Sequence, residues 1–221
     1  MGSVAKIIEL RQILAQRFPP QQPATSPATF IPTSVPGFDQ ALGGGLPRGA
    51  ITQLVAPLPS SGSTLVLREV IYALQRRALL VALVDGANCF EPIATADHFL
   101  WVRCRRAAEA VKAVDLLLRD GNIPLTFLDL RQNRAVELRK LPVQTWYRFQ
   151  RLTEESQTTL LLLTRYPMVP CAGLTLHVHS ALALDDLGIF SSDLIGSLRF
   201  EVQQMRRRQG IKQPAVYATG A

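Results

Sequence analysis

From residue 50 onward the chain alternates short, almost wholly apolar runs with longer amphipathic ones, and this alternation limits the possible folds more than any other feature. The runs AITQLVA, ALLVALVD, PLTFLDL and TLLLLT, with a shorter FLWVRC, are continuous in apolar residues, as strands buried on both faces must be. Between them, STLVLREVIYALQRR, AAEAVKAVDLLLRDG and VQTWYRFQRLTEES space their apolar residues at the helical period, the second ending at Gly121. Strands that need cover on both sides, joined by crossover helices, predict an α/β fold with a mostly parallel central sheet and helices on both faces. The end of the chain differs. GLTLHVHS and SLRFEVQQMRRR alternate like strands with one wet face, which predicts a C-terminal antiparallel extension at one sheet edge. No internal repeat accompanies these elements.

Composition narrows the class further. About half of the 221 residues are apolar and a fifth charged, so the chain can bury a core and is not intrinsically disordered. Residues 4–17 place Ile7, Leu10, Ile13 and Leu14 on one side of an amphipathic helix, and the proline-rich FPPQQPATSPATFIP follows. The expected organisation is an N-terminal helix and linker over residues 1–30 and a core domain over 31–221. The helix either docks on a partner through those four residues or packs on its own domain. Cys89, Cys104 and Cys171 show no CxxC spacing, which predicts neither a disulfide framework nor a zinc site. With no apolar run near ~18 residues and a charged start, the expectation is a cytoplasmic protein with reduced thiols and no membrane contact.

The stretch LVAPLPSSGSTLVL joins the first apolar run to the first helix, where a phosphate-binding loop GxxxxGK[ST] would stand. In such a loop, backbone N–H groups cradle phosphates, the lysine supplies positive charge and the hydroxyl residue holds magnesium. Gly62 and Thr64 fit the pattern, Ser63 takes the lysine position, and Pro57 takes that of the first glycine. Pro59 removes one more N–H donor. Ser60, Ser61, Gly62, Ser63 and Thr64 still offer N–H groups at a helix start, so weak ATP or magnesium binding is the most this degenerate site would provide, and a plain connecting loop is the alternative.

The preceding segment VPGFDQALGGGLPRGAITQLVAP resembles the lead-in to the phosphate loop of RecA, RadA and KaiC-type ATPases, through Phe38, Asp39, Leu42, Gly43, Gly44, Gly45, Leu46, Pro47 and Gly49. ALLVALVDGANCFEP resembles the second core strand of that superfamily. LWVRCRRAAEAVKAVDLLLRDGNIPLTFLDLR is similar to the middle of the ImuA, or SulA-like, RecA homologues, and the likeness spans residues 31–165. The resemblance implies a RecA-like P-loop NTPase core and an accessory role in the SOS response and damage-induced translesion synthesis, beside RecA and an inactive polymerase homologue. It also implies that Asp129 matches the magnesium-supporting aspartate, whereas the water-polarising glutamate is replaced by Ala87, two residues past Asp85.

The net charge of +7 comes mainly from arginine and favours an anionic partner. Arg131, Arg134, Arg139 and Lys140 follow the Asp129 strand, with Trp146 and Tyr147 close behind. Arginines interleaved with aromatics suit single-stranded DNA, and a solvated basic face is the alternative. Arg206, Arg207, Arg208 and Lys212 form a basic tail expected to touch DNA or an acidic protein. Arg103, Arg105 and Arg106 make a third cluster. His177 and His179 share one face of a strand but have no evident third ligand, so no metal site is expected, and His98 stands alone. The expected function is that of a catalytically inactive accessory protein in DNA repair, binding RecA or a polymerase complex and leaving room for DNA contact and self-association. Two alternatives are an ATPase with an atypical loop and a single-stranded DNA-binding module.

Overall fold

The computed structural model describes residues 29–91, 97–180, 182–189 and 191–205. The segment carrying Ile7, Leu10, Ile13 and Leu14 and the tail carrying Arg206, Arg207, Arg208 and Lys212 lie outside these described residues.

The apolar runs form the strands that their composition predicts: β3 (Ile51–Val55), β4 (Val81–Asp85), β5 (Phe99–Arg103), β6 (Leu125–Asp129) and β7 (Thr159–Thr164). With β8 (Leu174–Val178) and β9 (Phe200–Met205) they make one sheet in the order β5-β4-β6-β7-β3-β8-β9, parallel throughout except for the antiparallel β8–β9 pair. Before them, β1 (Phe30–Ile31) and β2 (Leu46–Pro47) pair in a small ribbon around helix α1 (Pro36–Ala41). The remaining helices are α2 (Ser63–Gln75), α3 (Ala107–Asp120), the short α4 (Ala135–Leu138), α5 (Val143–Ser156) and α6 (Ser191–Ser197).

Strand alternation divides the core between two faces. On β7, Leu161 and Leu163 join α2 residues Val66, Leu67, Val70 and Leu74 on one side of the sheet. Leu160 and Leu162 pack with Ala110, Val114 and Leu118 of α3 and Trp146 and Phe149 of α5 on the other. In the middle of β3, next to the buried Thr52, a buried amide interrupts this pattern. Gln53 donates from Nε2 to Thr164 Oγ1 (2.8 Å) and Tyr166 O (3.3 Å), while its Oε1 accepts from Val169 N–H (3.4 Å).

The lead-in segment is held by backbone geometry and one carboxylate. Asp39 accepts from Thr33 N–H (2.9 Å), Thr33 Oγ1 (2.7 Å) and Ser34 N–H (3.1 Å), which ties α1 to the chain before it. Gly45, at φ +135°, lets the chain pass so close to β1 that a Cβ there would lie 2.5 Å from Ile31 O. The turn-rich lead-in thus contains a short helix, started by Pro36, whose fixed φ suits a first helical turn.

Candidate functional site

Strands β3, β4, β6 and β7 end on the same sheet edge, where open parallel α/β sheets present their ligand sites. After Val55 the chain runs through Pro57, Leu58, Pro59 and Ser60, all exposed, to Ser61, which is buried. Gly62 then adopts the left-handed conformation (φ +78°) and α2 begins at Ser63. The segment before β9 covers this loop. Leu182 N–H donates to Ser60 O (2.8 Å), and Leu198 presses on Gly62 so closely that a Cβ at that glycine would lie 2.5 Å from its Cδ2.

The centre of the site is the Arg131 guanidinium. Its Nε and Nη2 form a two-pronged pair with Asp129, at 2.9 Å to Oδ1 and 2.6 Å to Oδ2, and its backbone N–H adds a third bond to Oδ1 (3.1 Å). From there Nη1 reaches across the sheet edge to the loop, donating to Ser63 Oγ (2.5 Å) and Thr64 Oγ1 (3.0 Å). Ser63 Oγ also accepts from Ser61 Oγ at 3.3 Å. Both side chains of the Asp129–Arg131 pair are only 11% exposed, so solvent screens their attraction little. A guanidinium, with its planar fork of donors, can serve one carboxylate and two hydroxyls at once.

This arrangement moves one expected residue out of its assigned surface. Arg131, expected among the DNA contacts, points instead to the loop at the start of α2, because a largely buried Asp129 carboxylate requires a cation and Arg131, just past the strand, lies close enough to supply it. The Asp-x-Arg spacing at a strand end was the available signal. The other carboxylate at this edge serves its own turn: Asp85, in register with Asp129, accepts from Ala87 N–H (3.3 Å) and Phe90 N–H (2.8 Å). Ala87 places a methyl group where the ATPase pattern has a carboxylate, and Glu91 is exposed.

Farther along, Arg134, Arg139 and Lys140 are exposed around α4. Tyr147 is half exposed on α5, but Trp146, expected beside it at the DNA surface, is 2% exposed and packs edge-on against Phe149 at 6.0 Å. Helical phase accounts for the correction, since Trp146, Phe149 and Thr153 form the inner face of α5 and Tyr147 lies on the outer one. In the cluster of Arg103, Arg105 and Arg106, Arg106 pairs with Glu109 (2.9 Å) and Arg103 lies over the Trp101 ring. The His177 and His179 rings stack at 5.9 Å, and His179 Nε2 bonds Glu201 (2.8 Å). Burial first, and the charge of His179 second, push the His177 imidazole below its ordinary range. Burial likewise raises the Cys104 thiol, aided by Glu109 and Asp85. Among the described residues no three His, Cys, Asp or Glu side chains are grouped to hold a metal, and no helix is long and apolar enough to cross a membrane.

No family model matches this chain. It is similar to Protein RecA of Ectopseudomonas oleovorans, with 38% identity over 106 residues, which is 45% of this chain and 30% of that protein. Similar partial likenesses hold for RecA of Clavibacter michiganensis (32% over 111 residues, 47% of this chain and 30% of that protein) and of Acidothermus cellulolyticus (33% over 113 residues, 48% and 32%). The matched part spans about a third of the length of these curated relatives. Strand order, the lead-in and these likenesses agree: the α/β core of this chain is RecA-like.

Proposed function

We propose that this chain is a RecA-like accessory protein of DNA repair that does not hydrolyse ATP and acts by contact, in damage-induced translesion mutagenesis. RecA or a translesion polymerase complex is the partner. The observation that carries the reading is that the polar groups of the cation position, Ser63 Oγ, Thr64 Oγ1 and both oxygens of Asp129, are already bonded to Arg131.

Phosphoryl transfer depends on positioned charge rather than covalent chemistry. The residues present are a poor fit to magnesium and ATP: the loop has no lysine, Asp129 is neutralised by a guanidinium, and Ala87 has no carboxylate to polarise water. Pro57 and Pro59 remove two N–H donors from the cradle. The chain's own residues instead build a fixed joint between the loop and the end of β6. Contact with partners then falls to the N-terminal segment through Ile7, Leu10, Ile13 and Leu14, and to the tail with Arg206, Arg207, Arg208 and Lys212, both outside the described residues.

A calorimetric titration with Mg-ATP, with phosphate release followed in the same sample with and without single-stranded DNA, tests this. The expected result is neither heat of binding nor release. Turnover would overturn it in favour of an ATPase with an atypical loop.

DNA contact is a second reading, favoured by the exposure of Arg134, Arg139 and Lys140 near the half-exposed Tyr147. Each phosphate neutralised contributes about −0.7 to the slope of log affinity against log salt. An R139A/K140A variant is expected to flatten that slope by about 1–1.5 for a single-stranded oligonucleotide, and an unchanged slope would leave protein contact as the function of this surface.

A further inference from the structure

We infer that Arg131 is a resident cation that has taken over the place of both the loop lysine and the metal, clamping the phosphate loop to the end of β6 without any ligand. The inference rests on the reading of a site without ATP chemistry, and it adds what the site does in its place.

An ordinary ion pair between residues 129 and 131 would need only the two bonds to the carboxylate. Here the remaining arm of the guanidinium crosses to hydroxyls that are 67 and 68 residues away in sequence. These are the side chains of the position where the pattern has lysine and of the next one, where it has the metal-holding hydroxyl. Ser63 is 2% exposed and its Oγ lies 2.5 Å from Arg131 Nη1, so a longer side chain at 63 meets the guanidinium. A lysine at 63 and an arginine at 131 would bring two cations into one nearly dry space, where like charges repel strongly. The geometry therefore makes the two residues mutually exclusive, and serine at 63 is the counterpart of arginine at 131. In a nucleotide-dependent protein a ligand would supply the bridging charge and shift the population of the joined state. With the charge built in, the joint at this edge, and the Gln132–Arg165 contact (2.9 Å) beside it, form in the protein alone.

A double-mutant cycle on the full chain, read by thermal unfolding, tests the inference. R131A, which leaves Asp129 buried without its cation, is expected to lower Tm by roughly 6–12 °C. S63K in the natural background is expected to lower Tm by about 5 °C, yet in the R131A background to raise it by about 4 °C, because the lysine then meets Asp129 alone. Should R131A fail to fold, R131Q keeps hydrogen-bonding capacity without charge, and S63K must again raise its Tm. Equal losses from S63K with and without Arg131 would overturn the inference. Mg-ATP titration of the unsubstituted protein is run alongside. Binding there would end the reading of a site without ATP chemistry, while the cycle still decides whether Arg131 holds the lysine's place.

Discussion

The lead-in segment and the loop before α2 are neighbouring stretches that both depend on glycine, and they match different parts of the ATPase pattern. In the lead-in, Gly43, Gly44, Gly45 and Gly49 all have positive φ, and the turn they make wraps β1 and β2 around α1. In the loop, the glycine at the helix start remains left-handed, while the residues that would handle phosphate charge are replaced by serine and proline. The difference separates two kinds of constraint. Where a residue sets the path of the chain, glycine is favoured; where it serves a ligand, its loss costs the fold little once another side chain satisfies the neighbouring polar groups.

The comparison breaks most sharply at Gly45. An alanine there combines a disfavoured φ with a 2.5 Å approach to backbone that cannot yield, so G45A is expected to cost roughly 3–5 kcal/mol. G44A, at φ +123° with nothing within 4 Å, should cost only about 1–2 kcal/mol, and chemical denaturation of the pair measures the difference. If the two cost the same, the close pass over Ile31 is not what the lead-in needs.

Gly62 gives a smaller effect with a distinct signature. G62A is expected to lose roughly 2 kcal/mol, part from the left-handed backbone and part from Leu198, whose flexible end lies 2.5 Å from the added methyl. In an L198A background the second part vanishes, so the loss attributable to G62A falls to about 1 kcal/mol. Simple additivity would mean that the cover over the loop gives way without cost.

The smallest effect is set by pH. His177, in register with Val55 at the end of β3 and Glu201 on β9, faces His179, Glu201 and Gln203, and its folded-state affinity for protons is depressed. As pH falls below about 6.5 the unfolded chain takes up a proton that the folded chain resists, so stability falls with acidification and is fully present above that value. Tm followed from pH 7.5 to 5 should drop less steeply in H177L than in the unsubstituted protein. Parallel curves would show that the strand pair beside the loop has no such sensitivity.

The elements were legible where their signals are local. Gly121 closes α3 in the left-handed conformation, its N–H bonded to Leu117 O (3.2 Å), as a glycine just past an apolar stripe announces. The strands announced themselves through uninterrupted apolar runs, and β8–β9 through alternation. The four-residue α4 and the seven-residue α6 carry too few turns for a period to show. At the site, serine in the lysine position of the pattern was visible at 63, but the cation that bonds it was not. Arg131 stood first in a row of basic residues, and its place two past Asp129 hinted at a pairing with that carboxylate, but only the folded structure shows its third arm reaching Ser63 at the start of α2. Trp146 and Tyr147 show the same limit on a smaller scale, since adjacent letters fall on opposite sides of a helix whose phase is set by its packing.

The amide of Gln53 bears on how the chain folds. Its partners on and after β7 lie 111 to 116 residues away, so none can form until about half the chain has been brought back to the centre of the sheet. Any partly folded state that buries β3 against other surfaces carries an orphaned amide, at a cost of about 1–3 kcal/mol. Such states are thinly populated for that reason, and the long loop that must close before the amide is satisfied makes assembly slow. The Gln53 amide, buried on β3 beside Thr52, thus acts as a late checkpoint, so that the centre of the sheet is reached as one cooperative event.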